Sequence, residues 1–166
     1  MFGFNVNPLL LTLLISARLI FAIKGVIQDC DEVYNYWEPL NFLTRYFGKQ
    51  TWEYSPEYAI RSWTYLIPFG LITYPLRLLE STSDSLFIPS NFHFYLVRIF
   101  IGLVCTYAEL NLAESLKFLS DEISNWFLIF EIFNPGMSHA SISLLPSSFT
   151  LIMGMFATAA VINYFK

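Results

Sequence analysis

The sequence predicts an all-α membrane protein that crosses the bilayer several times. Its 166 residues are 55% hydrophobic and only 13% charged, whereas a soluble domain carries about 25% charged residues. Aromatic side chains make up 19% of the chain, which excludes a disordered polypeptide, because such chains contain few aromatic residues. Long apolar runs recur between polar segments. We therefore expect lipid to surround much of the protein, and membrane lipids are its first predicted partners.

The first apolar run covers residues 8–27 and has the length of about 20 residues that one helical crossing requires. It contains Arg18 near its middle. A charge at this depth is unfavourable by a few kcal/mol unless protein or water faces it. The run therefore predicts a first span that belongs to a helical bundle, rather than a cleaved signal peptide or a lone anchor.

Three further apolar regions follow, at residues 63–79, 92–112 and 123–165. The first two predict spans 2 and 3, with a short polar loop at residues 80–91 between them. An Asn-Pro-Gly sequence that begins at Asn134 interrupts the last region, and such a sequence breaks helices. Residues 123–165 therefore form one broken span, a re-entrant hairpin or two spans.

A long polar segment at residues 28–62 separates the first two predicted spans. Up to Arg61 it holds six acidic and three basic residues and is rich in Trp and Tyr. Cytoplasmic loops carry an excess of Lys and Arg, and aromatic side chains collect at membrane interfaces. We therefore predict a lumenal loop of short interfacial helices.

The charge pattern excludes nucleic-acid binding, because the net charge is −4 and the basic residues are scattered. The two cysteines, Cys30 in the polar loop and Cys105 in an apolar run, show no metal-ligand spacing and are not expected to form a disulfide. The sequence indicates no clear protein partner.

The densest group of polar residues follows the first span directly. Asp29 and Glu32 have the spacing of a capping box, in which the first residue caps a helix and the second bonds back to its start. We expect that helix to end before Pro39. Asp31 then remains in the first turn, where the helix dipole favours an ionised carboxylate, and such a group can act as a general base. The alternative is that these acids only cap and solvate a loop helix. One helical face is predicted to carry Asp31, Tyr34, Asn35 and Glu38.

Two further groups offer contacts for a ligand. Trp52 and Tyr54 suit an interfacial aromatic belt or a platform on which a sugar ring stacks. Arg61 suits a pair with a lipid phosphate or a side chain that only extends to the interface. His139, just after the predicted break, suits a phosphate or hydroxyl contact or a structural hydrogen bond.

These groups resemble a known family. Asp29-Cys30-Asp31-Glu32 and the segment from Tyr34 to Pro39 resemble the first lumenal loop of glycosyltransferase family 22, which has the GT-C fold. The segment from Gln50 to Tyr58, with Ile60-Arg61-Ser62, is similar to the branch of α-1,2-mannosyltransferases that extend the lipid-linked oligosaccharide for N-glycosylation. The segments Asn134-Pro135-Gly136, Ser138 to Ser141 and Leu145 to Ser148 agree.

The resemblance implies a multi-pass protein of the endoplasmic reticulum membrane and a partial GT-C fold, since family members are much longer. It implies transfer of mannose from dolichyl phosphate mannose to a lipid-linked oligosaccharide, in α-1,2 linkage and with inversion, and no metal or other cofactor. Asp31 is then the expected base, and Glu32 orients the acceptor or the base. Sister enzymes have His-Pro-Asp-Glu at this place, so Asp29 is expected to be specific to the branch. The expected substrate-binding residues are Asp29, Tyr34, Asn35, Glu38, Trp52, Glu53, Tyr54, Arg61 and His139.

Three alternatives remain open at this stage. A glycolipid-anchor mannosyltransferase is the nearest, and the segment from Trp52 to Tyr58 argues against it. A non-catalytic, truncated membrane fragment would keep the aromatic loop without needing an ionised Asp31. A transporter would explain Arg18 and Arg98 within apolar runs, but the acidic loop lies outside those runs. We expect the sequence to be the N-terminal part of a longer protein.

Overall fold

The computed structural model describes residues 6–82, 89 and 91–166, and the elements in these ranges are helical. This confirms the all-α part of the prediction. Most of the predicted polar loop at residues 80–91 lies outside the described residues. The chain divides into two compact units, Met1–Gly25 with Ile99–Lys166, and Val26–Arg98.

The first unit begins with helix α1, Pro8–Lys24. The Asn7 side chain accepts from the Leu9 N–H, and Pro8 occupies a first-turn position that needs no N–H donor. The helix ends at Lys24, so the apolar run predicted as span 1 continues for three residues beyond the helix, to residue 27.

Arg18 connects α1 with two other helices of this unit. Its side chain is 1% exposed and forms an ion pair with Glu109 of α5, Phe92–Leu116. It also donates to the Glu131 carbonyl oxygen of α6, Asp121–Phe133, at 3.1 Å. The expectation that Arg18 requires a surrounding bundle is confirmed, because protein groups compensate its charge.

The region after α6 continues as two more helices. Asn134 ends α6, and its side chain accepts from Gly136 and Met137 at the start of α7, Pro135–Ala140. Helix α8, Pro146–Tyr164, follows. Within the described ranges, α5 and α8 are long and apolar enough to cross a membrane, judged by length and composition. The predicted break at Asn134 is confirmed, whereas the number of crossings in residues 123–165 stays a prediction.

The core of the first unit forms where α1, α5 and α6 meet. Its buried side chains are Leu14, Leu110, Ala113, Leu128 and Ile132, together with Val6. The Ser124 hydroxyl in α6 donates to the Ala113 carbonyl oxygen at 2.8 Å, so one polar bond reinforces this apolar contact.

The second unit begins with one continuous helical segment. It consists of α2, Cys30–Glu32, a π-helical turn, Val33–Trp37, and α3, Glu38–Arg45. The expectation that the helix ends before Pro39 is wrong. Pro39 lies within the first two positions of α3, immediately after the π-helical turn. Because a proline inside a helical segment removes one backbone N–H donor, the carbonyl oxygen that would have accepted from Pro39 needs another donor.

The remainder of this unit is shorter and more irregular. Two 3₁₀ turns, Trp52–Tyr54 and Trp63–Tyr65, precede helix α4, Ile67–Thr82, which contains Pro75. The predicted span 2, residues 63–79, therefore begins with a 3₁₀ turn, and the α-helix is displaced towards the C-terminus by three to four residues. Helix α4 packs against α3.

Candidate functional site

Asp31 lies on the surface of the second unit. The Asp29 carboxylate caps the helix by accepting from the Asp31 N–H at 2.8 Å, as predicted. The Asp31 carboxylate is exposed and accepts from Asn35 Nδ2 at 3.3 Å. Within the described ranges it takes part in none of the ion pairs. A carboxylate that is positioned by its helix but not neutralised by a cation is suited to accept a proton.

Glu32 has the opposite environment. It is 1% exposed, and its Oε1 accepts from Trp37 Nε1 at 3.0 Å. The two residues are five positions apart, which is the spacing that a π-helical turn brings together. The negative charge of Glu32 also acts on the Arg98 guanidinium. The predicted capping box is therefore correct for Asp29, but the side chain of Glu32 is turned to an indole that the pattern did not indicate.

The remaining residues of the predicted helical face also differ in their exposure to solvent. Tyr34 is 55% exposed, whereas Asn35 is buried. Glu38 Oε2 accepts from the Lys49 backbone N–H at 2.9 Å and so fixes the turn after α3. Asp31 and Asn35 do meet on one face, while Glu38 has a structural partner of its own.

Tyr54 supplies a hydrogen-bond donor that Pro39 lacks. Because Pro39 has no N–H, it cannot donate to the Asn35 carbonyl oxygen four residues before it. The Tyr54 hydroxyl donates to this oxygen at 2.7 Å. Burial raises the pKa of Tyr54 from 10.0 to about 12, and the side chain is 4% exposed. Its role in the structure is therefore to hold the loop on the helix.

Arg61 closes the same loop. It pairs with the Glu53 carboxylate, donates to the Tyr36 hydroxyl, and lies 5.2 Å from the centre of the Tyr36 ring. The hydrogen bond to Glu53 raises the pKa of Arg61. Burial raises the pKa of Tyr36, and the Arg61 charge opposes that effect. The sequence suggested Arg61 as a phosphate ligand, and the structure shows that Glu53 already compensates its charge.

Trp52 remains available on the surface. It is 60% exposed, and its ring meets the Tyr58 ring edge to face, with 5.3 Å between the centroids. This pair fits both interpretations of the aromatic loop, a membrane belt or a sugar platform.

His139 belongs to the other compact unit. It lies in the last turn of α7. The Ser143 hydroxyl donates to the His139 carbonyl oxygen at 2.9 Å and lies 3.4 Å from a ring nitrogen. These local contacts are those of a residue that stabilises the end of a short helix.

Two arrangements were missed from the sequence. The possible ligand atoms of Asp29, Cys30 and Asp31 lie within 4.8 Å of one another, and all three residues are exposed. Adjacent exposed acids of this kind are common without an ion. Glu32 with Trp37 was the second, and only the five-residue spacing could have indicated it. Both cysteines are free, as expected.

Comparison with known proteins identifies the family. The model of the Alg9-like mannosyltransferase family matches residues 9–165. An α-1,2-mannosyltransferase, ALG9, of Saccharomyces cerevisiae is 42% identical over 94% of this chain and 27% of its own length. Alg9 of Drosophila melanogaster is 42% identical over 88% of this chain and 23% of its own length. Human ALG9 is 36% identical over 87% of this chain and 23% of its own length.

The chain thus spans about a quarter of the length of these relatives. No solved structure matches it significantly. The resemblance to glycosyltransferase family 22 is confirmed, because the match extends over nearly all of the sequence and includes the acidic and aromatic loop. The chain belongs to the Alg9-like mannosyltransferase family.

Proposed function

We propose that the protein containing this chain transfers mannose from dolichyl phosphate mannose to a lipid-linked oligosaccharide and forms an α-1,2 linkage. Membership of the family supports the mannosyl transfer, and the names of the three relatives support the linkage. The location in the endoplasmic reticulum membrane, with residues 28–62 on the lumenal side, is part of this proposal. The apolar helices α5 and α8 support a membrane location.

Asp31 is the general base in this proposal. Its carboxylate takes the proton from the acceptor 2-hydroxyl while that oxygen attacks C1 of the donor mannose. The bond from C1 to the phosphate oxygen breaks, and dolichyl phosphate leaves with the electron pair, so the configuration at C1 inverts. The observation that carries the assignment is the exposed Asp31 carboxylate, held by the Asp29 cap and without a cationic partner in the described part of the chain.

Glu32 is a positioning residue in this proposal. Its burial and its bond with Trp37 favour a role in orienting the helix start that carries Asp31. Trp52 and Tyr34 are the exposed aromatic residues among the proposed sugar contacts. Asn35 contributes through its bond to Asp31, and Glu53, Tyr54 and Arg61 contribute by fixing the loop.

The test uses a chimera, defined as the S. cerevisiae relative in which this chain replaces the matched segment. Asp31→Asn keeps the size of the side chain and removes the base. Microsomes that contain the chimera are assayed for transfer of labelled mannose, and we expect kcat to fall by about 10²- to 10⁴-fold. Glu57→Gln is the matched control, because Glu57 is an exposed acid of the same loop and should retain the unmodified rate.

Retention of the full rate by Asp31→Asn would remove Asp31 as the base. Analysis of the labelled product distinguishes the proposed function from two alternatives, one enzymatic and one structural. A glycolipid-anchor mannosyltransferase would label a glycolipid, and a non-catalytic fragment would support no transfer in the unmodified chimera.

A further inference from the structure

Two carboxyl groups meet inside the first unit, in the helical bundle and not in the polar loop. Glu109 of α5 is fully buried, and Glu131 of α6 is half-buried. Their side chains form a hydrogen bond with each other. Because an ionised carboxylate only accepts hydrogen bonds, a bond between two carboxyl groups requires a proton on one of them.

Arg18 indicates which of the two acids is ionised. Its guanidinium forms the ion pair with Glu109, in which Nε lies 3.3 Å from Oε2 and Nη2 donates to Oε1. Its hydrogen bond to Glu131 goes to the backbone carbonyl oxygen, at 3.1 Å. Within the described ranges, no N–H group or alcohol hydroxyl donates to the buried Oε2 of Glu131. The positive charge of Arg18 is therefore matched by Glu109, and a second negative charge on Glu131 would remain uncompensated.

The other titratable groups around the pair supply no further positive charge. Besides Arg18, the group that faces the two acids is Cys105 of α5, and a thiol is either neutral or negative. His139 of α7 lies beside Ser143. Helix α8 carries Tyr164 at its last position, where the side chain is exposed. Compensation for Glu131 therefore has to come from a proton.

We propose that Glu109 and Glu131 form a binding site for one proton, which Glu131 holds and donates to the Glu109 carboxylate. Arg18, Glu109 and protonated Glu131 then have a net charge of zero. Such a neutral group suits a bundle in a bilayer, where an uncompensated charge is strongly unfavourable. A Glu in water is ionised above about pH 4.3, so folding takes up this proton at neutral pH. The site belongs to the other compact unit from Asp31 and is independent of the proposed reaction.

Two substitutions of Glu131 separate proton binding from the space that the side chain fills. Glu131→Gln has the size of the neutral acid and keeps a donor for Glu109, whereas Glu131→Met has a similar length and no donor. Glu122→Gln is the matched control, because Glu122 is an exposed acid in the first turn of the same helix. All variants are made in the purified chimera, and size-exclusion chromatography shows whether each is folded.

Infrared difference spectroscopy at neutral pH observes the proton directly. A protonated carboxyl group has a C=O stretching band distinct from those of carboxylates, and this band shifts in D₂O. We expect the difference between the unmodified chimera and Glu131→Gln to show the loss of such a band, and Glu122→Gln to retain it. Absence of the band from the Glu131→Gln difference spectrum would overturn the proposal.

The pH dependence of thermal unfolding is an independent test. Because folding takes up a proton at Glu131, the unmodified chimera should lose stability relative to Glu131→Gln as the pH rises from about 5 to about 8, by at most about tenfold in the unfolding equilibrium constant per pH unit. Glu122→Gln should follow the unmodified chimera. At neutral pH, Glu131→Met should be less stable than Glu131→Gln, because it lacks the donor for Glu109.

Three results of this second test would contradict the proton site. The first is a stability difference between the unmodified chimera and Glu131→Gln that does not change with pH. The second is a Glu131→Met chimera at least as stable as Glu131→Gln, because removal of a negative charge would then be the main effect of both changes. The third is failure of Glu131→Gln to fold, because glutamine reproduces the size and the donor of the protonated acid.

Discussion

Replacing Arg18 with Met should strongly destabilise the protein. Arg18 and Glu109 are 1% and 0% exposed, and Arg18 also donates to the Glu131 carbonyl oxygen. Without Arg18 the Glu109 carboxylate remains buried with its charge uncompensated, a change that is unfavourable by about 3–5 kcal/mol. The unfolding temperature of the chimera should fall accordingly, by less per kcal/mol than in a domain of about 150–250 residues, because the entropy of unfolding grows with chain length.

The assay is the loss of the monodisperse size-exclusion peak of the chimera after heating. Arg18→Met combined with Glu109→Leu should recover part of the loss, because the buried ion pair is then removed as a whole. The recovery is not complete, because the nearby Glu131 side chain loses its hydrogen bond with Glu109. The control is Lys117→Gln, which removes a partly exposed pair with Glu114 and should change stability by less than about 1 kcal/mol. A shift for Arg18→Met no larger than that of Lys117→Gln, or a double variant less stable than the single one, would refute this reasoning.

The remaining predictions concern the loop of the second unit, with a control glycine in α8. Tyr54→Phe leaves the Asn35 carbonyl oxygen without its donor and should destabilise the chimera by about 1–3 kcal/mol in the same assay. Because burial raises the pKa of Tyr54 from 10.0 to about 12, its contribution to stability should be full below about pH 10 and decline as the pH rises to 12, and Tyr54→Phe should lack this decline. Gly48→Ala should also destabilise, because Gly48 has φ +130° and an added Cβ would lie 2.7 Å from the Glu38 carbonyl oxygen. Gly154→Ala, with nothing within 4 Å of the added carbon, should instead be neutral or stabilising by about 1 kcal/mol. Equal effects of the two alanines would contradict the steric argument.

Features that depend on neighbours in sequence could be predicted. The Asp29 cap needs only the next two residues, and the break at Asn134 needs only the following Pro and Gly. The helical character of the apolar runs was predictable because their length and composition leave few alternatives. The Asp31–Asn35 contact followed from the four-residue spacing of a helix.

Features that depend on folding could not be predicted in the same way. Arg18 was expected to need a partner, but Glu109 lies 91 positions later, and no local pattern selects it. The continuation of the helix through Pro39 depends on a π-helical turn and on Tyr54, which is 19 positions from Asn35. The ion pair between Arg61 and Glu53 also could not be predicted, because it forms only when the loop folds back on itself.

The π-helical turn at Val33–Trp37 sets how Asp31 and Glu32, which precede it, are oriented relative to α3. A chain one residue shorter at this place would wind as an ordinary α-helix, in which each residue turns the chain by about 100°. Everything before the deletion, including Asp31, would then point to a different side of the axis that continues into α3. Insertions and deletions in this stretch therefore act as rotations of the carboxylate, even where every side chain is retained.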